Sequence, residues 1–318
     1  MRHLISLKEY TKDDVLSIIS LAQNIKAKRS QGILTNYLQN KTLIMLFQKT
    51  STRTRLSFEA GMTELGGHAI FLDVRTSQLE TADFADEIRA IMRFGDMLMF
   101  RALRAADVER AASYGRIPVM DACSEKYHPA QALADMLTMI EHARGLENIK
   151  KIVWLGIENN VSNSLKLVCA KLGKEMALVS PEVDPDSIDE ELDAIASASG
   201  KITSTTNLAA GLSGADFIHT DTWMNMEFFE KGKILPQFRV EYERRKKVFM
   251  PYQLNAALLQ QYAPHAKIMH CMPCHTGYEI TRDAIDHPHS IIFDQAENRM
   301  NIQKAIMLWL LGKEGIVE

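Results

Sequence analysis

The chain carries only four cysteines in 318 residues: Cys123, Cys169, Cys271 and Cys274. They are too few and too scattered to staple a secreted scaffold, so free thiols in a reducing compartment, the cytoplasm, are expected. Long hydrophobic runs are missing. The best stretch, 305–311, is seven residues long and bounded by Lys304 and Lys313. A bilayer-spanning helix needs ~18–20. The opening MRHLISLKEYTKDD places charges where a signal peptide needs an apolar core. An excess of one charge sign is missing too, the formal net charge being −3. Nucleic-acid binding relies on a concentrated basic surface, so neither a nucleic-acid nor a membrane partner is expected. The basic run at 243–247 (ERRKK) reads as a solvated helix face. Glycine-rich nucleotide loops are absent as well: no GxGxxG follows a strand and no GxxxxGK[ST] occurs.

What is present is an ordinary globular composition, 46% hydrophobic and 24% charged, which excludes a wholly disordered chain. At ~150 residues per domain the length suggests about two domains. Short apolar runs alternate with longer helical patterns. Strands are predicted at 42–47, 69–72, 97–100 and 118–120, with helices at 51–65, 84–93, 108–114 and 128–143. The pattern restarts near 145. Strands are predicted at 152–155, 176–179, 217–220, 268–271 and 291–293, and helices at 162–172, 188–198 and 297–311. Repeated strand–helix units imply parallel sheets covered on both faces. Ligands of such sheets bind beyond the carboxyl ends of strands.

The first strand, TLIMLF, leads into Gln48-Lys49-Thr50-Ser51-Thr52-Arg53-Thr54-Arg55, which opens a helix. A helix N-terminus offers unpaired N–H groups and partial positive charge. Ser51, Thr52 and Thr54 add hydroxyls and Arg53 a planar guanidinium, which together suit a phosphate. An ordinary capped helix with surface arginines would use the same residue types. At ~100° per residue Arg53 and Arg55 point about 200° apart, so Arg53 is assigned to the anion and Arg55 to structure.

This segment, with Phe47, resembles the F-x-K-x-S-T-R-T-R carbamoyl-phosphate signature of the aspartate/ornithine carbamoyltransferases. Further landmarks follow in family order: Arg101 in MLMFRAL; His128-Pro129-Ala130-Gln131-Ala132-Leu133-Ala134-Asp135; Asn159-Asn160; Asp221-Thr222-Trp223; His270-Cys271-Met272-Pro273; and Glu297-Asn298-Arg299. The resemblance covers nearly the whole chain. It implies two doubly wound α/β domains, each a mostly parallel sheet flanked by helices. The first, 1–146, would bind carbamoyl phosphate and the second, 147–296, the amino acid, with the C-terminal helix, 297–318, packing back on the first.

The resemblance also implies roles. Ser51, Thr52, Arg53, Thr54, Arg101, His128, Gln131 and Arg299 would hold carbamoyl phosphate, with Gln78 supplied by a neighbouring subunit. Arg101, His128, Cys271 and Arg299 would be catalytic. His128 would donate to the carbamoyl oxygen, and Gln131 would hold the carbamoyl amide as a further donor. Asn160, Asp221, Asn225, Met226, Cys271 and Met272 would hold the amine substrate, ornithine. The implied assembly is a homotrimer or a multiple of trimers, and the implied reaction needs no cofactor.

Some positions depart from the family pattern. Asn225 stands for a serine, Glu227 for a glycine and Thr276 for a basic residue, the loop around Gln78 is about one residue shorter, and the stretch before Pro251 is longer. Putrescine, lysine or an N-acylornithine therefore remain alternative amines, and a non-catalytic carbamoyl-phosphate binder is the alternative of another class. Cys271-x-x-Cys274-His275 also matches the haem c attachment pattern, and CxxC alone suits half a zinc site. With no export signal and no second ligand pair, no metal is expected there.

Overall fold

The structure, a computed structural model, describes residues 1–224, 228–230 and 233–316. It divides into two compact units, one of 1–137, 160–171 and 297–318, the other of 138–159 and 172–296. The sequence reading drew its line at 146/147. The segment 160–171 groups with the first unit because its side chains tie down the 124–128 stretch. Asn160 Nδ2 donates to the Ser124 carbonyl at 2.7 Å, Asn163 Nδ2 to the Lys126 carbonyl at 3.2 Å, and Ser164 Oγ accepts from the His128 amide at 2.8 Å.

The chain runs α1 (Lys12–Ser30), β1 (Thr42–Phe47), α2 (Thr52–Glu64), β2 (His68–Asp73), α3 (Phe84–Ile91), β3 (Met97–Arg101), α4 (Ala105–Ser113), β4 (Val119–Asp121) and α5 (Pro129–Ala143). The four strands form a parallel sheet in the order β2-β1-β3-β4. Near-continuous apolar strands such as TLIMLF, buried on both faces, suit such a sheet. Ile44, Leu46, Leu98, Phe100 and Val119 pack there with Ile88 and Val108 from the flanking helices.

Then come β5 (Lys151–Leu155), α6 (Asn160–Leu172), β6 (Glu175–Val179), α7 (Glu190–Ala198), β7 (Ile202–Thr205), α8 (Leu208–Leu212) and β8 (Phe217–Thr220). An antiparallel pair of short strands, β9 (Phe229–Glu230) with β10 (Lys233–Ile234), precedes α9 (Arg239–Phe249), α10 (Ala256–Tyr262), β11 (Lys267–His270), α11 (Arg282–Ile285) and α12 (Ile292–Leu310). The second sheet is parallel, in the order β11-β8-β5-β6-β7.

Register decides what each sheet presents at its carboxyl edge. Phe47 pairs with Arg101, and Phe100 with Asp121. In the second sheet Leu155 pairs with Thr220, and Thr220 with His270. The chain reverses its direction of build at β1/β3 and at β5/β8, the switch points where open α/β sheets bind ligands.

The sequence reading fails at 291–293, expected as a strand. Ile291 makes one strand-like contact, its amide donating to the Ile268 carbonyl at 3.0 Å, and α12 begins at the next residue. Three apolar residues in a row look alike in a strand and in a helix start. The last helix therefore begins five residues before the expected Glu297. Its later part belongs to the first unit. There Lys304 Nζ meets Glu64 Oε2 at 2.6 Å, and Lys26 Nζ reaches Asn298 Oδ1 at 2.9 Å. Among the described residues no helix is long and apolar enough to cross a membrane.

Candidate active site

Ser51 is the N-cap of α2. Its backbone is extended and its hydroxyl accepts from the Thr54 amide, so the first turn is held open at the end of β1. The turn is clamped from behind by Gln48, whose amide donates to the Arg101 carbonyl at 2.9 Å and whose Oε1 accepts from Leu103 N at 2.6 Å. Arg101, the last residue of β3, thereby stands beside the helix start. Its Nη1 lies 3.4 Å from Thr54 Oγ1 and 3.5 Å from the Ala122 carbonyl, and its Nε is buried without a hydrogen bond. Arg299 reaches the same hydroxyl from α12, Nη2 to Thr54 Oγ1 at 2.9 Å. Two guanidinium groups on one fully buried hydroxyl make a site that favours an anion.

Arg53 is half-buried beside this turn and Thr52 is exposed. Arg55 serves structure: it pairs with Glu59 at 2.9 Å and lies 3.9 Å over the Phe71 ring.

His128 immediately precedes α5, and its carbonyl accepts from the Gln131 amide at 3.0 Å. Its imidazole is buried and Nδ1 has no hydrogen-bond partner. Burial first, and then the charges of Arg299, Arg101, Lys49 and Arg53, hold its pKa well below the ordinary value. The ring is therefore neutral near pH 7, able to donate one N–H without adding charge. Gln131 corrects one expectation. Its Nε2 is spent on Asp135 Oδ1 at 2.7 Å, while Oε1 is buried with no partner. The free atom is an acceptor, suited to an N–H donor of a bound amide rather than to developing negative charge.

Asp121, which ends β4, belongs to none of the motifs legible in the sequence. It is fully buried. Oδ1 accepts from the Cys123 amide at 2.8 Å, Oδ2 has no partner, and desolvation pushes its pKa up to about 7.

In the second unit Asp221 follows β8 and is nearly buried. Oδ1 accepts from Thr222 N at 2.8 Å and Oδ2 from Asn159 Nδ2 at 2.8 Å. Asn159 thus donates to the Asp221 carboxylate and helps to aim it. Asn160 commits its amide N–H groups to the Ser124 carbonyl and to Cys123 Sγ at 3.2 Å, which leaves its Oδ1 as the open atom. Cys271 and Met272 follow β11, both half-buried, with Met272 in the left-handed region at φ 57°. Asn225, Met226 and Glu227 lie outside the described residues. Gln78 stands exposed on a short 3₁₀ turn after the Arg75–Asp73 pair.

Asp221, His270 and Cys271 bring ligand-type atoms within 4.8 Å of one another. Both ring nitrogens of His270 are already engaged, Nδ1 by Met272 N at 2.8 Å and Nε2 by Glu279 Oε1 at 3.3 Å. That chemistry is a hydrogen-bonded network rather than a ready metal site. All four cysteines are free thiols.

A strand-end arginine, a second arginine from α12, a helix N-terminus and a neutral buried histidine define an anion-binding, group-transfer type of site. Comparison with known proteins agrees. Residues 2–141 match the aspartate/ornithine carbamoyltransferase, carbamoyl-P binding domain, and residues 148–310 match the Asp/Orn binding domain of the same family. An ornithine carbamoyltransferase of Archaeoglobus fulgidus is 38% identical over 319 residues, 100% of each chain. One of Halalkalibacterium halodurans is 38% identical over 98% of this chain and 95% of its own. Among solved structures, the ornithine carbamoyltransferase of Pyrococcus furiosus superposes with a TM-score of 0.87 at 37% identity, covering 98% of this chain and 97% of that one. The chain belongs to the aspartate/ornithine carbamoyltransferase family.

Proposed function

We propose that the protein transfers the carbamoyl group of carbamoyl phosphate to the side-chain amine of ornithine, giving citrulline and phosphate. The observation that carries this reading is the convergence of Arg101 and Arg299 on Thr54, beside a neutral His128 and the open Oε1 of Gln131. Phosphate oxygens take the α2 N-terminus, Ser51, Thr52, Arg53 and the guanidinium groups of Arg101 and Arg299. The carbamoyl carbonyl takes His128, Arg101 and the Thr54 hydroxyl, donors placed where negative charge grows. The carbamoyl amide takes Gln131 Oε1.

The amine's lone pair attacks the carbonyl carbon, the bond from that carbon to the phosphate-bridging oxygen breaks, and phosphate departs. The ammonium, with an ordinary pKa of ~10.4, first gives one proton to solvent; the attacking nitrogen's second proton passes to the departing phosphate as the C–O bond breaks. Orientation supplies much of the rate, up to ~7–11 kcal/mol for well-aligned partners. On the amine side the partners proposed for the α-ammonium are the Asp221 carboxylate and the open Oδ1 of Asn160, both acceptors, and those proposed for the reacting end are Cys271 and Met272.

The same reading makes the chain a homotrimer or a multiple of trimers, with Gln78 entering a neighbour's site. It places the enzyme in the cytoplasm, a compartment that suits its free thiols. Incubation with carbamoyl phosphate and ornithine should yield citrulline and phosphate in equal amounts. Phosphate release without ureido product would overturn the reading.

A further inference from the structure

A hydrogen-bonded chain runs from the end of β11 to the turn that carries Asp221, and its order fixes where the protons sit. His270 Nδ1 accepts from Met272 N at 2.8 Å, so the proton is on Nε2 and points at Glu279 Oε1, 3.3 Å away. Glu279 is fully buried, and its Oε1 also accepts from the His275 amide. Its Oε2 lies 4.0 Å from His275 Nδ1. That Nδ1 lies 2.8 Å from Thr222 Oγ1. Thr222 has one hydroxyl proton, and the Met224 carbonyl at 2.8 Å can only accept it. The proton between His275 and Thr222 therefore belongs to His275 Nδ1, and Nε2 is bare. The imidazole also stacks on Phe229 of β9, centroids 4.5 Å apart, and meets Tyr278 edge-on at 6.3 Å. Thr222 in turn donates its amide to Asp221 Oδ1 at 2.8 Å.

We propose that His275 is a positioning residue for the amine substrate: by donating Nδ1–H to Thr222 and stacking on Phe229, it sets the turn that aims the Asp221 carboxylate. The inference rests on the reading of Asp221 as the α-ammonium partner. His275 touches neither substrate; it acts through Thr222. Nothing in this chain involves the carbamoyl-phosphate residues, so its effect falls on one substrate alone.

The test is steady-state kinetics on His275→Phe, His275→Asn, Thr222→Val, Thr222→Ser and the double variant His275→Phe/Thr222→Val, with thermal melts for each. His275→Phe keeps the stack and loses the donor. His275→Asn keeps a donor at the Nδ1 position, and Thr222→Ser keeps the hydroxyl. His275→Phe, which removes the donor, and Thr222→Val, which removes the acceptor, should each raise KM for ornithine about tenfold or more, with KM for carbamoyl phosphate within about twofold of wild type. The Ser variant should stay near wild type, the Asn variant, which keeps a donor but loses the stack, should fall between wild type and His275→Phe, and the double variant should be no worse than either single. Equal increases in both KM values, or full additivity in the double variant, would overturn the proposal. An activity-free readout separates it from the substrate reading: selective ¹⁵N labelling of histidine should show His275 protonated at Nδ1 and bare at Nε2. The opposite tautomer overturns the proposal even if citrulline forms. A wild type that makes no citrulline but shows the expected tautomer overturns the substrate reading instead.

Discussion

Arg299 Nη2 donates to Thr54 Oγ1 at 2.9 Å, joining residues 245 positions apart in the chain. The contact explains how a helix at the far end of the sequence completes a site opened by the first strand. It also places a buried hydroxyl between two guanidinium groups, since Arg101 approaches the same oxygen at 3.4 Å. Thr54→Val should remove the shared acceptor and let the two charges drift. Hydrogen bonds to charged groups contribute ~1.5–3 kcal/mol, so carbamoyl-phosphate affinity should fall at least about tenfold, and Thr54→Ser should restore it. Calorimetry showing unchanged affinity in the valine variant would separate Thr54 from the anion site.

Asp121 gives a pH prediction. Its pKa is raised from the ordinary 3.8 to about 7 by burial. Between those values the folded protein holds a proton that the unfolded chain has released, so this residue's contribution to stability declines as pH rises through the window and is fully lost above about 7. Asp121→Asn cannot ionise. The stability of the variant relative to wild type should therefore improve from pH 5 to pH 8 by at least ~1.4 kcal/mol, the equivalent of one pKa unit. Urea unfolding of the ligand-free protein at the two pH values measures it, and a difference that does not change with pH would contradict the burial argument.

Assembly can be tested without a structure of the oligomer. If Gln78 serves a neighbour's site while Arg53 serves its own, Gln78→Ala and Arg53→Ala should each be nearly inactive. Dissociating and reassembling the mixture should return measurable activity through hybrid trimers. Full activity in a species that sediments as a monomer would contradict the shared site.

Much of this arrangement was legible in the sequence, because the residues that carry charge chemistry sit directly after apolar strands. Ser51, Arg101, His128 and Asp221 all fall at or just beyond strand ends or helix starts, where unpaired backbone groups and strand termini make ligand sites. What stayed hidden depended on long-range pairing. Nothing local shows that Asn159 rather than Asn160 would brace Asp221, since both are equally good turn residues. The direction of the Gln131 amide was settled by Asp135, one turn further along α5. The Asp121 carboxyl gave no signal because an aspartate after a short strand is ordinary; only its burial makes it unusual. At 291–293 local apolar content suits two structures equally well; strand-like pairing with Ile268 stops at Ile291, and the helix takes the residues that follow.

The amine is the centre of the functional account, and a substrate panel tests it most directly. Ornithine carries the α-ammonium for which Asp221 and the Asn160 Oδ1 are proposed as partners; N-acetylornithine lacks that charge, and putrescine lacks the α-carboxylate beside it. A site built around such contacts rejects an analogue lacking one by ~10⁴-fold or more, because buried polar groups are left unpaired. Wild-type kcat/KM should be measured side by side for ornithine, lysine, putrescine and N-acetylornithine at saturating carbamoyl phosphate. The account predicts that ornithine exceeds each of the others by orders of magnitude; a putrescine value equal to or above that of ornithine would contradict it.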